Sequence, residues 1–92
     1  MASNAEGAGD LRSWLTRCVA EYLRRPEDEI DPSVRLAEYG LDSVYALALC
    51  GDIETHLDMR LSETLVWDHP TIDELTAHLT ELIAEQQPAG AR

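Results

Sequence analysis

The sequence predicts an all-α domain, a small four-helix bundle of three main helices and one short one, with a long connection between the first two. Three observations predict it. Apolar residues recur at spacings of three and four in separate segments of the chain, which gathers them on single helical faces. Residues that favour helix starts, Asp42 and Thr71, stand immediately before two of those segments. No alternating strand pattern, Gly-rich phosphate loop or internal repeat competes with this reading.

In the first segment Leu11, Trp14, Leu15, Cys18, Val19, Tyr22 and Leu23 form one stripe, with Asp10 as its cap. Pro26 lacks an amide hydrogen and disfavours helical geometry at Arg25, so the helix is expected to end there. The stretch "RPEDEIDPSVRLAEYGL" then reads as a long loop, pinned to the core by Ile30, Val34, Leu36 and Leu41. A second helix is expected over about 43–57, because the apolar pattern from Val44 runs on through Ile53 and Leu57 and is rich in Ala and Leu. With Leu49, Cys50, Ile53 and Leu57 on one face, Val44, Tyr45, Leu47 and Ala48 cannot all be buried in so small a domain, so part of that surface should meet a partner. A short helical turn is predicted at about 63–67, with Ser62 as its cap and Leu65 and Val66 packing inward. Pro70 and Thr71 open the last helix, Thr71 and Glu74 have capping-box spacing, and Ile72, Leu75, Leu79, Leu82 and Ile83 form its stripe. The folded unit is therefore 10–86. Residues 1–9 and 87–92 read as flexible tails.

The chain has 92 residues, enough for one core that buries roughly 60 to 65% of the unfolded surface. A deep, water-excluding active site is not expected in it. Eighteen acids against seven basic residues, all arginine, give a net charge of −11. This argues against nucleic acid and anionic membranes as partners and favours basic protein surfaces. Cys18 and Cys50 each fall inside a helical apolar pattern and read as buried free thiols in a reducing compartment. No signal peptide or membrane span is visible, and a cytoplasmic location is expected.

Within "EYGLDSVYALALCGD", residues 38–52, Ser43 precedes a mainly apolar run. An Asp-Ser pair by itself is most often just a helix start, which contributes about 1 kcal/mol. A catalytic serine would need a base and an oxyanion hole; the only imidazoles are His56, His69 and His78, and "GLDSV" is not a nucleophile elbow. A helix N-terminus also favours an attached phosphate, because its free amides attract an anion.

The run from Glu38 to Leu79 resembles the acyl carrier proteins, especially those of polyketide synthases. "GLDSV" looks like their attachment motif, and "TLVWDHPTIDEL" looks like the stretch before and into their last helix. The resemblance covers about residues 10–86 and implies a four-helix bundle of acyl-carrier type. It further implies that Ser43 carries 4′-phosphopantetheine, added from coenzyme A by a separate phosphopantetheinyl transferase, and that the arm's thiol holds acyl groups as thioesters. The partners it implies are that transferase, an acyl-loading enzyme (an acyltransferase or acyl-AMP ligase), and a ketosynthase or other synthase enzymes, served by a monomeric carrier with no catalytic residue of its own. Asp42, Val44, Tyr45 and Leu47 would form the surface those partners recognise.

Two positions depart from the family pattern. Many synthase carriers place a glutamate five residues after the modified serine, where this chain has Ala48, and a polar or basic residue where it has Cys50. Recognition is therefore expected to rest more on apolar contact than on salt links. Alternatives are a peptidyl carrier of nonribosomal synthesis, which commonly has histidine where Asp42 stands, a helical interaction domain, and a small serine hydrolase. His69 reads as capping or bridging its turn, and His56 and His78 as solvated. The histidine spacings match no metal motif, so no metal site is expected. Trp14 and Trp67 read as core or core-edge packing, and Leu47, Leu49, Ile53, Trp67 and Leu75 either line an acyl groove or pack it shut.

Overall fold

The structure is a computed structural model that describes residues 7–86, with side chains from residue 10. Four α-helices form it: α1 (Gly7–Leu23), α2 (Ser43–Leu57), α3 (Leu65–Asp68) and α4 (Ile72–Gln86). Among the described residues there is no strand, and no helix is long and apolar enough to cross a membrane. Of the expected tails, residues 1–6 and 87–92 lie outside the described residues, whereas 7–9 are already helical.

Asp10 is therefore inside the first turn of α1 rather than its cap. Gly7 and Gly9 are poor helix formers, which is why the sequence alone places the start too late. Asp10 still favours the helix there, since its charge faces the positive end of the helix dipole. The other end closes two residues early. Arg24 takes a left-handed φ of 58°, and the amides of Arg25 and Arg24 bond to the carbonyls of Ala20 (3.0 Å) and Glu21 (3.3 Å). This is a Schellman closure with arginine where glycine is usual.

The long connection contains two 3-10 turns, Glu27–Glu29 and Leu36–Tyr39. Ile30, Leu36 and Leu41 are buried in the core as expected, but Val34 is only half-buried and stays outside the core cluster. Hydrogen bonds hold the loop instead. Asp31 accepts from the Ser33 amide (2.9 Å) and hydroxyl (2.7 Å), bonds that hold its carboxyl below the usual range. The Leu36 amide donates to the Pro70 carbonyl (2.8 Å), and the Asp73 amide to the Pro32 carbonyl (3.0 Å). The second of these satisfies a first-turn amide of α4 that would otherwise lack a partner. Thr71 satisfies the next, accepting from the Glu74 amide at 3.0 Å.

The core is built from Leu15, Val19, Leu36, Leu49, Ile53, Ile72, Leu75 and Leu79, all fully buried, with Leu65 and Val66 beside them. α1 runs antiparallel to α2, since Trp14 stacks on His56 at 3.9 Å and Tyr22 approaches Tyr45. The short helix begins at Leu65 with Thr64 before it. Ser62 accepts from the Thr64 amide (3.1 Å) and so closes the preceding turn rather than capping the helix. Trp67 is 49% exposed and outside the core cluster, in contrast to the expected core or core-edge packing. A helix of four residues that buries Leu65 and Val66 turns the following side chain outward. His78 is half-buried rather than solvated, stacked 4.0 Å from His69, which bridges α3 to α4.

Candidate functional site

The backbone of "GLDSV" explains its residue types. Gly40 has φ 93°, a left-handed conformation that glycine adopts without a steric cost. There it ends the 3-10 turn, its amide bonded to the Ala37 carbonyl at 3.0 Å. Leu41 follows and is buried, anchoring the reversal. Asp42 is then extended and caps α2, its Oδ1 accepting from the Tyr45 amide at 3.0 Å, while its carbonyl accepts from the Ala46 amide at 2.8 Å. Ser43 is left as the first residue of α2, exposed.

Among the described residues the Ser43 hydroxyl makes no hydrogen bond, and the amides of Ser43 and Val44 have no partner. That geometry presents an exposed hydroxyl beside two free N–H groups at the positive end of a helix, an electrostatic setting that favours a negatively charged group. The histidines lie elsewhere, one on Trp14 and two on each other.

The surface beside Ser43 is apolar. Val44 is 70% exposed, Tyr45 41% and Leu47 52%, and Ala48 is exposed with them. Ala46, Leu49, Cys50 and Ile53 take the inner face of the same helix. The structure thus brings Asp42, Ser43, Val44, Tyr45 and Leu47 together on one exposed end of α2. The acids farther along α2 are engaged internally, a feature that sequence reading misses. Asp52 accepts a hydrogen bond from the Tyr22 hydroxyl of α1, and Glu54 accepts from the Leu61 amide at 2.8 Å. The first contact joins residues thirty positions apart, so no local sequence signal announces it.

Leu49, Ile53 and Leu75 are fully buried, while Leu47 and Trp67 are on the surface. The five do not line one groove; its inner members fill that space with their own side chains. Both cysteines are free, Cys50 buried and Cys18 half-buried. Burial first, then nearby Asp52 and Glu21, pushes the Cys18 thiol up to about 11. Burial, then Glu54 and Glu63, raises that of Cys50, which donates to the Ser62 carbonyl. Neither is disposed to react as a thiolate at neutral pH. Among the described residues no group of three or more His, Cys, Asp or Glu side chains is arranged to hold a metal.

Most of the chain is similar to known proteins. The family described as "Phosphopantetheine attachment site" matches residues 13–79. A phenolphthiocerol/phthiocerol polyketide synthase from Mycobacterium tuberculosis is 35% identical over 79 residues, 86% of this chain and 4% of that synthase. The chain thus spans only a small part of the synthase it matches. Among solved structures, a free-standing peptidyl carrier protein from Acinetobacter baumannii superposes with a TM-score of 0.80 at 34% identity, covering 83% of this chain and 95% of that one. The acyl carrier protein LipD of Actinoplanes friuliensis has a TM-score of 0.73 at 41% identity, covering 92% and 97%. The chain belongs to the phosphopantetheine-binding carrier family, whose domain is the site of covalent phosphopantetheine attachment.

Proposed function

We propose that Ser43 is the attachment residue and that the chain carries acyl intermediates of polyketide biosynthesis as thioesters on the arm. The observation that carries this reading is the exposed, unpartnered Ser43 hydroxyl at the first position of α2, beside two free amides and inside the matched region. In the loading step, Oγ of Ser43 forms a bond to the phosphorus that bears the pantetheine of coenzyme A. The pyrophosphate bond breaks, adenosine bisphosphate leaves, and the serine proton goes to a base of the transferase. The carrier itself supplies the nucleophile, the amides that face the resulting diester, and a docking surface. Once attached, the flexible arm raises the concentration of its cargo at each partner enzyme. Cys18 and Cys50 lie wholly or partly within the fold, whereas an arm on the exposed Ser43 would hold its thiol in solvent, where partner enzymes can reach it. The filled interior supports a cargo that stays largely outside the helices.

Intact-protein mass before and after incubation with coenzyme A and a broad-specificity phosphopantetheinyl transferase tests the assignment. Wild type is expected to gain one phosphopantetheine and Ser43→Ala none. A folded, previously unmodified wild type that gains nothing would overturn it.

A second reading, a peptidyl carrier, is favoured by the likeness to the free-standing peptidyl carrier protein. Asp42 weighs against it, since peptidyl carriers commonly have histidine there. Offering the modified protein to an amino-acid adenylating enzyme and to an acyltransferase separates the two, with acylation by the second enzyme alone expected.

A further inference from the structure

Tyr22 reads in the sequence as one more apolar residue of the α1 stripe, and its ring does pack against the core. A phenylalanine would fill that space equally well. The hydroxyl has a specific use: it donates to Oδ2 of Asp52 on α2, a hydrogen bond strengthened by the carboxylate's charge. Burial, then this bond, pushes the Tyr22 hydroxyl up to about 12, so it remains a donor through the neutral range.

The bond fixes the Tyr22 ring between α1 and α2. There it stands 5.7 Å from the ring of Tyr45, with the planes tilted by 34°, within the range of favourable aromatic pairs. Tyr45 is two residues past Ser43 and 41% exposed. Its amide is held by Asp42 and its ring is flanked by Tyr22, so it is restrained at both ends. An exposed tyrosine without such a neighbour would have to be ordered each time a partner bound.

We propose that Tyr22 and Asp52 are positioning residues that hold the Tyr45 ring in the orientation met by the transferase that modifies Ser43. An α1 side chain thereby shapes a docking surface made by α2. This inference rests on the assignment of Ser43 as the attachment residue.

The test is the kinetics of phosphopantetheine transfer from coenzyme A by a broad-specificity transferase, with carrier concentration varied. The carriers are wild type, Tyr22→Phe, Asp52→Asn, Tyr45→Ala and the double variant Tyr22→Phe/Tyr45→Ala. Losing the order of one side chain should raise KM for Tyr22→Phe by about two- to tenfold, with kcat within about twofold. Asp52→Asn, which keeps an acceptor oxygen but loses the charge that strengthens the bond, should raise KM less than Tyr22→Phe, and Tyr22→Phe should add nothing once Tyr45 is alanine. An unchanged KM in folded Tyr22→Phe, or an effect that persists undiminished without Tyr45, would overturn the proposal. Side-chain couplings of Tyr45 measured by NMR check the positioning without any enzyme: one rotamer is expected in wild type and averaging in Tyr22→Phe, and averaging in both would also overturn it. Failure of wild type itself to accept phosphopantetheine would count against Ser43, and the NMR result would still stand or fall by itself.

Discussion

α2 and α4 have the same length, 15 residues each, and open the same way, with a side-chain oxygen on the amide three positions on. Their apolar residues are placed differently. Those of α4 lie on one stripe, with Ile72, Leu75 and Leu79 fully buried and Leu82 and Ile83 partly so. In α2, Leu49 and Ile53 are equally buried, but Val44, Tyr45 and Leu47 stand on the outside. A helix that serves only a core needs one apolar face. Apart from the Tyr45 ring beside Tyr22, the second face of α2 adds no side chain to the core, and it begins at the residue next to Ser43.

Truncating a buried leucine of α4 and an exposed one of α2 should have opposite consequences. Leu75→Ala should cost about 2 to 5 kcal/mol in chemical denaturation, the range for a fully buried leucine. Leu47→Ala should cost less than about 0.5 kcal/mol, yet raise the KM of partner enzymes. Equal destabilisation by the two would mean that the outer face of α2 is structural after all.

How much of this is visible in the sequence follows from where the information lies. The four helices and the inner residues of α2 and α4 are legible because burial imposes a period of three to four on the chain itself. The surplus of apolar residues on α2 is legible too, since one helix in a small domain cannot bury two faces. The start of α1 is not, because Gly7 and Gly9 argue locally against a helix that forms nonetheless. Trp67 is misplaced by sequence reasoning because a side chain of that size suggests the core, whereas a one-turn helix that buries Leu65 and Val66 has no inner position left for it. The partners of Asp52 and Glu54 cannot be read at all. They depend on which turn of α1 meets which turn of α2, and on where the chain returns after α2.

The caps of α2 and α4 differ in what they support beyond their own helices. Asp42→Ala and Thr71→Ala should each destabilise by about 1 kcal/mol, because each leaves one first-turn amide without its partner. Only Asp42→Ala should also slow modification of Ser43, since Asp42 fixes the first turn on which the serine sits. If Thr71→Ala slows transfer as much at a temperature where both variants are folded, the effect reports general loosening rather than the site.

The buried stripe of α4 contains one residue out of keeping with it. Thr76 is buried, and among the described residues its hydroxyl oxygen has no hydrogen-bond partner. Leaving such a group unsatisfied is unfavourable, whereas an apolar group of the same shape is tolerated. Thr76→Val should therefore raise stability, by up to about 1 kcal/mol, with no change in the rate of transfer to Ser43. A loss of stability would show that the hydroxyl has a partner in solution.

The smallest expected effect concerns salt, and it tests what the outer face of α2 offers. The protein as a whole carries −11, which by itself would suggest recognition by charge. On α2, however, Ala48 stands where the family's glutamate is common, Asp52 is bonded to Tyr22, and Glu54 is bonded to the Leu61 amide. Even Asp42 has one oxygen engaged by the Tyr45 amide. Beyond Asp42, what is exposed on α2 near Ser43 is Val44, Tyr45, Leu47 and Ala48, whose contacts salt does not screen. The KM for phosphopantetheine transfer should then change by less than about threefold between 50 and 500 mM salt, a range over which screening removes most of the attraction between exposed charges. A rise above about tenfold would mean that the acids of α2 leave their internal partners when an enzyme docks, and that the apolar face is secondary to them.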